Sequence, residues 1–485
     1  MERSLRIYAG FAAATLLCLS VAVISRHYWI AVLPIGLLAA AQAVLNFRPY
    51  FWLLLVCIPL GTEVYLPGGV GTDLPTEALA ILLSGIFLLH AARYWPDYEA
   101  RTFLHPIALL LYVHVGWIAV TACFAEIPVI SVKFLLAKGW YIGAFFLLPL
   151  LILREPDDVK RFAHCIFWPL LFVAVQSLIR HSFYGFSFMD QFRTMHPFMR
   201  NHVNYAGSLA AFTPWVGYLL YRRKLAGRSW GRWLLLLAPV WLGAIFFSYT
   251  RAAYISVALS AIAFFVIRAG WLRPALALAF VGALGVTVYF VQDDRYLAYA
   301  PDFQTTVSHS RFDNLINATY KLEDISTMER FYRWVAGGNM VPYRPYVGFG
   351  PGNFVPNYEA YTNNNFETYV SANEERSGIH NYFLMTTVEQ GVPGLIFLLL
   401  FMGGILYFGQ TLYLGQTDPL ARAGIMAALL SIVVISAFSI INDLLETDKL
   451  GSLYFLATAI VLTMGRYRYP LSGGSRRNEE HAENS

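Results

Sequence analysis

The sequence predicts an all-α polytopic membrane protein of about 12–14 transmembrane helices, with one large, partly helical loop outside the cytoplasm. Three observations carry this prediction. The 485 residues are 57% hydrophobic and only 13% charged, too little polar surface for a soluble body of that size. Apolar runs approaching the roughly 20 residues that a bilayer core requires recur from one end of the chain to the other. Lys and Arg gather in alternate connections, the asymmetry that orients membrane helices.

The runs lie near 5–25, 28–46, 48–61, 75–92, 105–124, 134–153, 161–181, 203–221, 233–248, 252–268, 272–291, 386–408, 421–441 and 450–466. The first, "RIYAGFAAATLLCLSVAVIS", carries no small-x-small cleavage site and is expected to be a span, not a removed leader. Pro59, Pro149 and Pro169 fall inside runs, where neighbouring helices re-satisfy the backbone. With the N-terminus inside, the cytoplasmic side receives Arg3, Arg6, Arg48, Arg93, Arg101, Arg154, Lys160, Arg161, the cluster "YRRKLAGRSWGR", Arg268, Arg273 and Arg422. The expected organisation is therefore about eleven spans over 1–291, a large outer loop over 292–385, the C-terminal spans over 386–466 and a disordered cytoplasmic tail over 467–485. A net charge of +5 without a long basic run gives no sign of nucleic-acid binding. Cys18, Cys57, Cys123 and Cys165 lie in or beside apolar runs and are expected as small packing side chains.

The outer loop is the place to look for chemistry, because structured loops of this length carry binding and catalytic groups. Within it "STMERFYRWVAGGNM" predicts a helix, with Ser326 and Glu329 at capping-box spacing and Gly337-Gly338 at its end. "VGFGPGNF" predicts a turn; it lacks the Lys-Ser/Thr ending of a phosphate loop. Arg251, in the polar break "FFSYTRAAYIS", is a cation at membrane depth: a functional residue, or one that snorkels to the headgroups. Arg330 and Arg333 start the loop helix, where they serve a site or a solvated face. His380 precedes the last apolar run after the loop; with Leu384, Thr387 and Gly391 it is expected along one helical stripe, as a candidate general base or a structural ring. Lys138 is a further intramembrane cation, free to snorkel or to meet a lipid phosphate. Tyr343, Tyr346, Tyr358, Tyr361 and Tyr369 offer ring faces and hydroxyls suited to sugars, or pack within the loop. No Asp-x-Asp occurs, and His196 with His202 lacks an evident third ligand, so no metal and no cofactor are expected.

Four segments, in order, resemble a known family. "HNYFLMTTVEQG" is similar to the His motif of the O-antigen ligase branch of the O-antigen ligase/polymerase superfamily, and "SYTRAAY" to its Ser-x-x-Arg-Gly/Ala turn. "MERFYRW" followed by "GFGPGNF" resembles its Glu-Arg loop segment and Gly-x-Gly turn, and "FMRNHVNYAGSLAAFTPW" its Asn-bearing segment before a span. The likeness covers roughly 200–394; Trp334 stands where the ligases usually place Leu. The resemblance implies a GT-C-like fold in the bacterial inner membrane and an active site on the periplasmic face. It also implies an inverting, metal-independent transfer from a glycan on undecaprenyl pyrophosphate. The implied acceptor is a lipid A–core sugar or another glycan. His380 would activate the acceptor hydroxyl while Arg251 and Arg330 hold the pyrophosphate. Arg333, Lys138, Asn204, Asn381, Tyr343 and Tyr346 would contact substrate, and membrane lipids would surround the site. Alternatives on the same scaffold are an O-antigen or exopolysaccharide polymerase or a protein O-oligosaccharyltransferase. An alternative of another class is a lipid-linked glycan flippase.

Overall fold

The computed structural model describes residues 2–26, 30–31, 33–66, 70–227, 231–299, 325–367, 371 and 377–467. Helices α1 (Glu2–Ser25), α2 (Leu33–Leu45) and α3 (Arg48–Leu60) lead into a hairpin of β1 (Thr62–Leu66) and β2 (Val70–Leu74), antiparallel with Thr62 opposite Leu74. There follow α4 (Thr76–Tyr94), α5 (Pro106–Ala122), α6 (Pro128–Ile152, with a π turn at Gly143–Leu147) and α7 (Pro156–Ser182). The rest of the bundle is α8 (His202–Leu225), α9 (Gly231–Phe246), α10 (Arg251–Ala269) and α11 (Leu272–Val291). The loop helix α12 (Ile325–Met340) precedes α13 (Tyr382–Gly415), α14 (Pro419–Phe438) and α15 (Asp448–Arg466). This is an all-α polytopic membrane protein.

Among the described residues seven helices are long and apolar enough to cross a bilayer: α4, α6, α7, α10, α11, α13 and α14. The remaining expected spans differ for physical reasons. The pair expected at 28–46 and 48–61 becomes a bent unit whose halves meet at 115°. The apolar stretch of α5 is shorter, and those of α1 and α9 are followed only over Gly10–Ser25 and Leu237–Phe246, the part whose side chains are described. The helices α8 and α15 are interior, and α15 is buried on every side from Asp448 to Gly465, the mark of a helix enclosed by protein. At the other extreme α11 buries none of its apolar window in protein.

Helix starts follow local chemistry. Asn201, Asn381 and Asp418 are N-caps whose side chains accept from Asn204 N, Leu384 N, and Leu420 N with Ala421 N, satisfying otherwise orphaned amides. Glu155 and Asp158 make a reciprocal capping box at α7. The side chain of Ser326, where a capping box is expected, lies outside the described residues, while Glu329 pairs with Arg333.

The bundle has two distinct ends. At one, Arg222 pairs with Asp157, Arg466 donates to Thr102 Oγ1 (2.7 Å), and Arg422 lies over the Tyr413 ring. The other end gathers the starts of α8, α10, α13 and α15 with the end of α14. There Tyr382 N donates to Ser439 O (2.9 Å) and Thr250 Oγ1 to His202 O (3.4 Å). A Cβ at Gly207 would lie 3.0 Å from Leu450 and 3.6 Å from Phe438. The hairpin joins this end, where Lys449 Nζ donates to Ile58 O (3.2 Å) and Gly61 O (3.0 Å). The loop helix α12 packs on α13 at the same end. The expected loop segment 300–324 and the tail beyond residue 467 lie outside the described residues.

Candidate active site

His380 is not on a helix. It sits one residue before the cap Asn381, with φ +57, in the left-handed region that non-glycine residues seldom adopt. The expected stripe of His380, Leu384, Thr387 and Gly391 therefore does not form: the histidine lies outside α13, and Gly391 breaks the helix. Holding His380 in this conformation costs about 1–2 kcal/mol, offset by contacts on both sides. Ile379 is fully buried against α12, where a Cβ at Gly337 would come within 2.3 Å of its Cδ1. Asn381 is committed to its cap. The imidazole is thus aimed by its backbone.

It is aimed at Asp443, in the connection between α14 and α15. His380 Nδ1 stands 3.5 Å from Asp443 Oδ1, with the ring 29% exposed. Burial alone would push the Asp443 carboxyl up. The facing imidazole, through its hydrogen bond and its charge, and backbone hydrogen bonds beside it together offset this and hold the carboxyl below its ordinary range. A carboxylate on Nδ1 fixes the tautomer and leaves Nε2 to take a proton, the arrangement a general base needs. The segment before the histidine runs tightly over this group, since a Cβ at Gly378 would lie 2.0 Å from Asp443 Oδ2.

Arg251 is the first residue of α10, after Tyr249 (φ +51) and Thr250. A cation there opposes the helix dipole, which favours acidic residues and bound anions at an N-terminus. The Thr250 hydroxyl bonds His202 O, so the α10 start adjoins the α8 start. Arg330, half-buried on α12, acts electrostatically on the same His202. Arg330 and Gly337 are seven residues apart, hence on one face and about 10 Å apart along the axis. The face of α12 that carries Arg330 is therefore the face that meets Ile379, next to His380. Two arginines and two helix N-termini thus gather around His202, at the end of the bundle that also carries His380.

The other expected substrate residues divide. Arg333 is buried and paired with Glu329 (3.4 Å), which also accepts from Ser371 Oγ (2.8 Å). Lys138 is buried and bonds both oxygens of Glu446 at 2.7 and 2.8 Å, so its charge meets a carboxylate of the protein itself. Asn381 is the cap of α13. Asn204 is buried in the first turn of α8, where its backbone N donates to the Asn201 cap. Tyr343 and Tyr346 stand open at 70% and 75% exposure; Tyr361 packs edge-on against Tyr343, and Tyr358 is buried on Phe354. Tyr369 lies outside the described residues.

The glycine turn explains how the loop is held over this site. Gly391 adopts φ 72, ψ 177, a region open only to glycine, and frees carbonyls of α13. These are taken up by Phe349 N on Val388 O, Gly350 N on Glu389 O, and Trp117 Nε1 on Gln390 O, each at 2.9 Å. The Glu389 carboxylate accepts from Gly352 N (2.8 Å) and Phe354 N (3.1 Å). Asn353 fastens the turn to α6 through Ile127 N (2.9 Å) and Ser131 Oγ (2.8 Å). A cavity of about 200 Å³ remains behind His380, with Glu389, Asp443 and Glu446 in its wall.

Those three carboxylates, and Asp443 above all, are what sequence reasoning missed. For Asp443 and Glu446 the signal was present in "INDLLETDKL", which with Asp448 sets three acidic residues between two apolar runs, on the side of the membrane assigned to the loop. Residues 233–399 match the family model described as O-Antigen ligase, a region that contains Arg251, Arg330 and His380. No curated protein matches the chain.

Proposed function

Because the chain belongs to the O-antigen ligase superfamily, we propose that it is a membrane glycosyltransferase moving a glycan from undecaprenyl pyrophosphate to a lipid A–core sugar. In this reading residues 292–385 face the periplasm of a bacterial inner membrane. His380 Nε2 takes the proton of the acceptor hydroxyl while Asp443 steadies the developing imidazolium. The acceptor oxygen bonds the anomeric carbon from the face opposite the diphosphate, so the configuration inverts. The bond from the anomeric carbon to the phosphate oxygen breaks, and its electrons leave on the diphosphate. Arg251, Arg330 and the starts of α8 and α10 stabilise that charge. The leaving group is already a stable anion, which removes the need for a general acid. The absence of an Asp-x-Asp pair from the sequence accords with metal-independent transfer.

The observation that carries the reading is His380, with Nδ1 on Asp443, at the bundle end where Arg251 and Arg330 meet around His202. A polymerase is the second reading, favoured by Trp334 in the place where ligases usually carry Leu. Glycan analysis of a deletion strain separates them: a ligase mutant accumulates finished polymer on the lipid carrier, a polymerase mutant single repeat units. Turnover per folded molecule tests the base. His380→Gln is expected to lose about 10²–10⁴ in rate, and unchanged turnover would overturn the mechanism.

A further inference from the structure

Lys138 looks from the sequence like a cation awaiting a phosphate, yet its surroundings give it a different task. Its ammonium holds both Glu446 oxygens, at 2.7 and 2.8 Å, and lies over the Phe134 and Phe455 rings. Glu446 Oε1 in turn accepts from the Tyr382 hydroxyl at 2.6 Å. Tyr382 is the first residue of α13, two residues after His380, and its backbone N donates to Ser439 O at 2.9 Å. The connection between α14 and α15 therefore grips Tyr382 at backbone and side chain, and the same connection supplies Asp443 to the imidazole. Within it Glu446 N donates to Asp443 O at 3.3 Å, so the two carboxylates move as one turn.

A buried ion pair of this kind contributes little net stability, because desolvating both charges offsets their attraction. Its value lies in geometry: two charges with multiple bonds fix relative positions more tightly than apolar contacts do. We propose that Lys138 and Glu446 are a positioning pair for His380, acting through Tyr382 and the Asp443 turn and never touching substrate. Lys138 anchors Glu446 to α6, Glu446 anchors the start of α13, and that start sets where the imidazole stands relative to Asp443 and the arginines. The inference rests on His380 being the base, as set out above.

The test uses the full chain in lipid nanodiscs, with purified undecaprenyl-diphosphate-linked glycan as donor and lipid A–core as acceptor. The double variant Lys138→Met/Glu446→Gln removes both charges together and leaves neither exposed to a missing partner. It is expected to lower kcat about 10–100-fold with KM for both substrates unchanged, the signature of a base held about an ångström off line. In a His380→Gln background the same pair of changes is expected to lower kcat no further, since no base remains to misplace. Tyr382→Phe deletes one hydroxyl, leaves the ion pair whole, and is expected to give about a 10-fold fall with the same dependence on His380; it carries the test if the double variant does not fold. Normal turnover in Lys138→Met/Glu446→Gln beside a slow His380→Gln overturns the inference and leaves the mechanism standing. A raised KM, or an equal loss in both backgrounds, also overturns it, because the pair then acts on substrate or on folding at large. Normal turnover in His380→Gln alone strikes the mechanism itself.

Discussion

At the scale of single residues, the site depends on one imidazole and on the charges around it. Asp443 is held below its ordinary value of 3.8 by His380, against the upward push of burial. A depressed folded value makes the contribution to stability fully present above 3.8 and lost as the pH falls through the lower folded value. His380→Ala removes the side-chain hydrogen bond and charge and leaves only backbone hydrogen bonds against burial, so the variant is expected to melt about 1–3 °C below wild type at pH 7. That gap is expected to close only as the pH falls below 3.8 and through the lower folded value, and thermal scans across pH read it directly. Arg251 is expected to act through its forked guanidinium as well as its charge. Arg251→Ala should cost about 10²–10³ in turnover, with Arg251→Lys recovering part. Transfer assays on both purified variants decide between this and an interface anchor, for which Ala would be nearly silent. The sequence singled out Arg251 because it breaks an apolar pattern, Arg330 because it starts a helix in the outer loop, and His380 because it stands just before an apolar run. The role of Asn381 was not legible, since a cap shows itself only when the helix start is known. Nor was the engagement of Lys138, whose partner lies 308 positions along the chain.

At the scale of elements, the apolar runs fell on helices, seven of them long and apolar enough to cross a bilayer among the described residues, and Gly337-Gly338 stood near the end of α12. What periodicity could not place was the break in α13. The run 386–408 was read as one span through "VEQGVPG", and the break at Gly391 is held by a distant turn that supplies donors for the freed carbonyls. Gly391 is therefore expected to tolerate no side chain. A Cβ there would lie 2.1 Å from Tyr346 O, at a backbone angle only glycine adopts. Gly391→Ala is expected to cost about 1–3 kcal/mol in backbone strain alone, with a further loss from the clash. Yield of monodisperse protein and its melting temperature measure this; a wild-type profile would show that the break can relax. The bend between α2 and α3 was equally hidden, because both halves are apolar and only their packing sets the angle.

At the scale of the whole molecule, charge asymmetry and bundle direction make one prediction of orientation. In a background carrying Cys123→Ser, Tyr346→Cys is expected to react with a membrane-impermeant maleimide added to cells with a permeabilised outer membrane. Tyr221→Cys, at the far end of α8, is expected to stay unlabelled until the cells are lysed. The reverse pattern would move the proposed site to the cytoplasmic face. The glycine turn also bears on the molecule as a whole. Phe349, Gly350 and Gly352 lie outside the membrane in sequence, yet their amides are bonded to α13 and its Glu389. Those amides can meet deuterium only when the transmembrane helix itself lets go. The turn should therefore exchange on the slow clock of the bundle, not the fast clock of a surface loop, so that loop and membrane body open as a single cooperative unit.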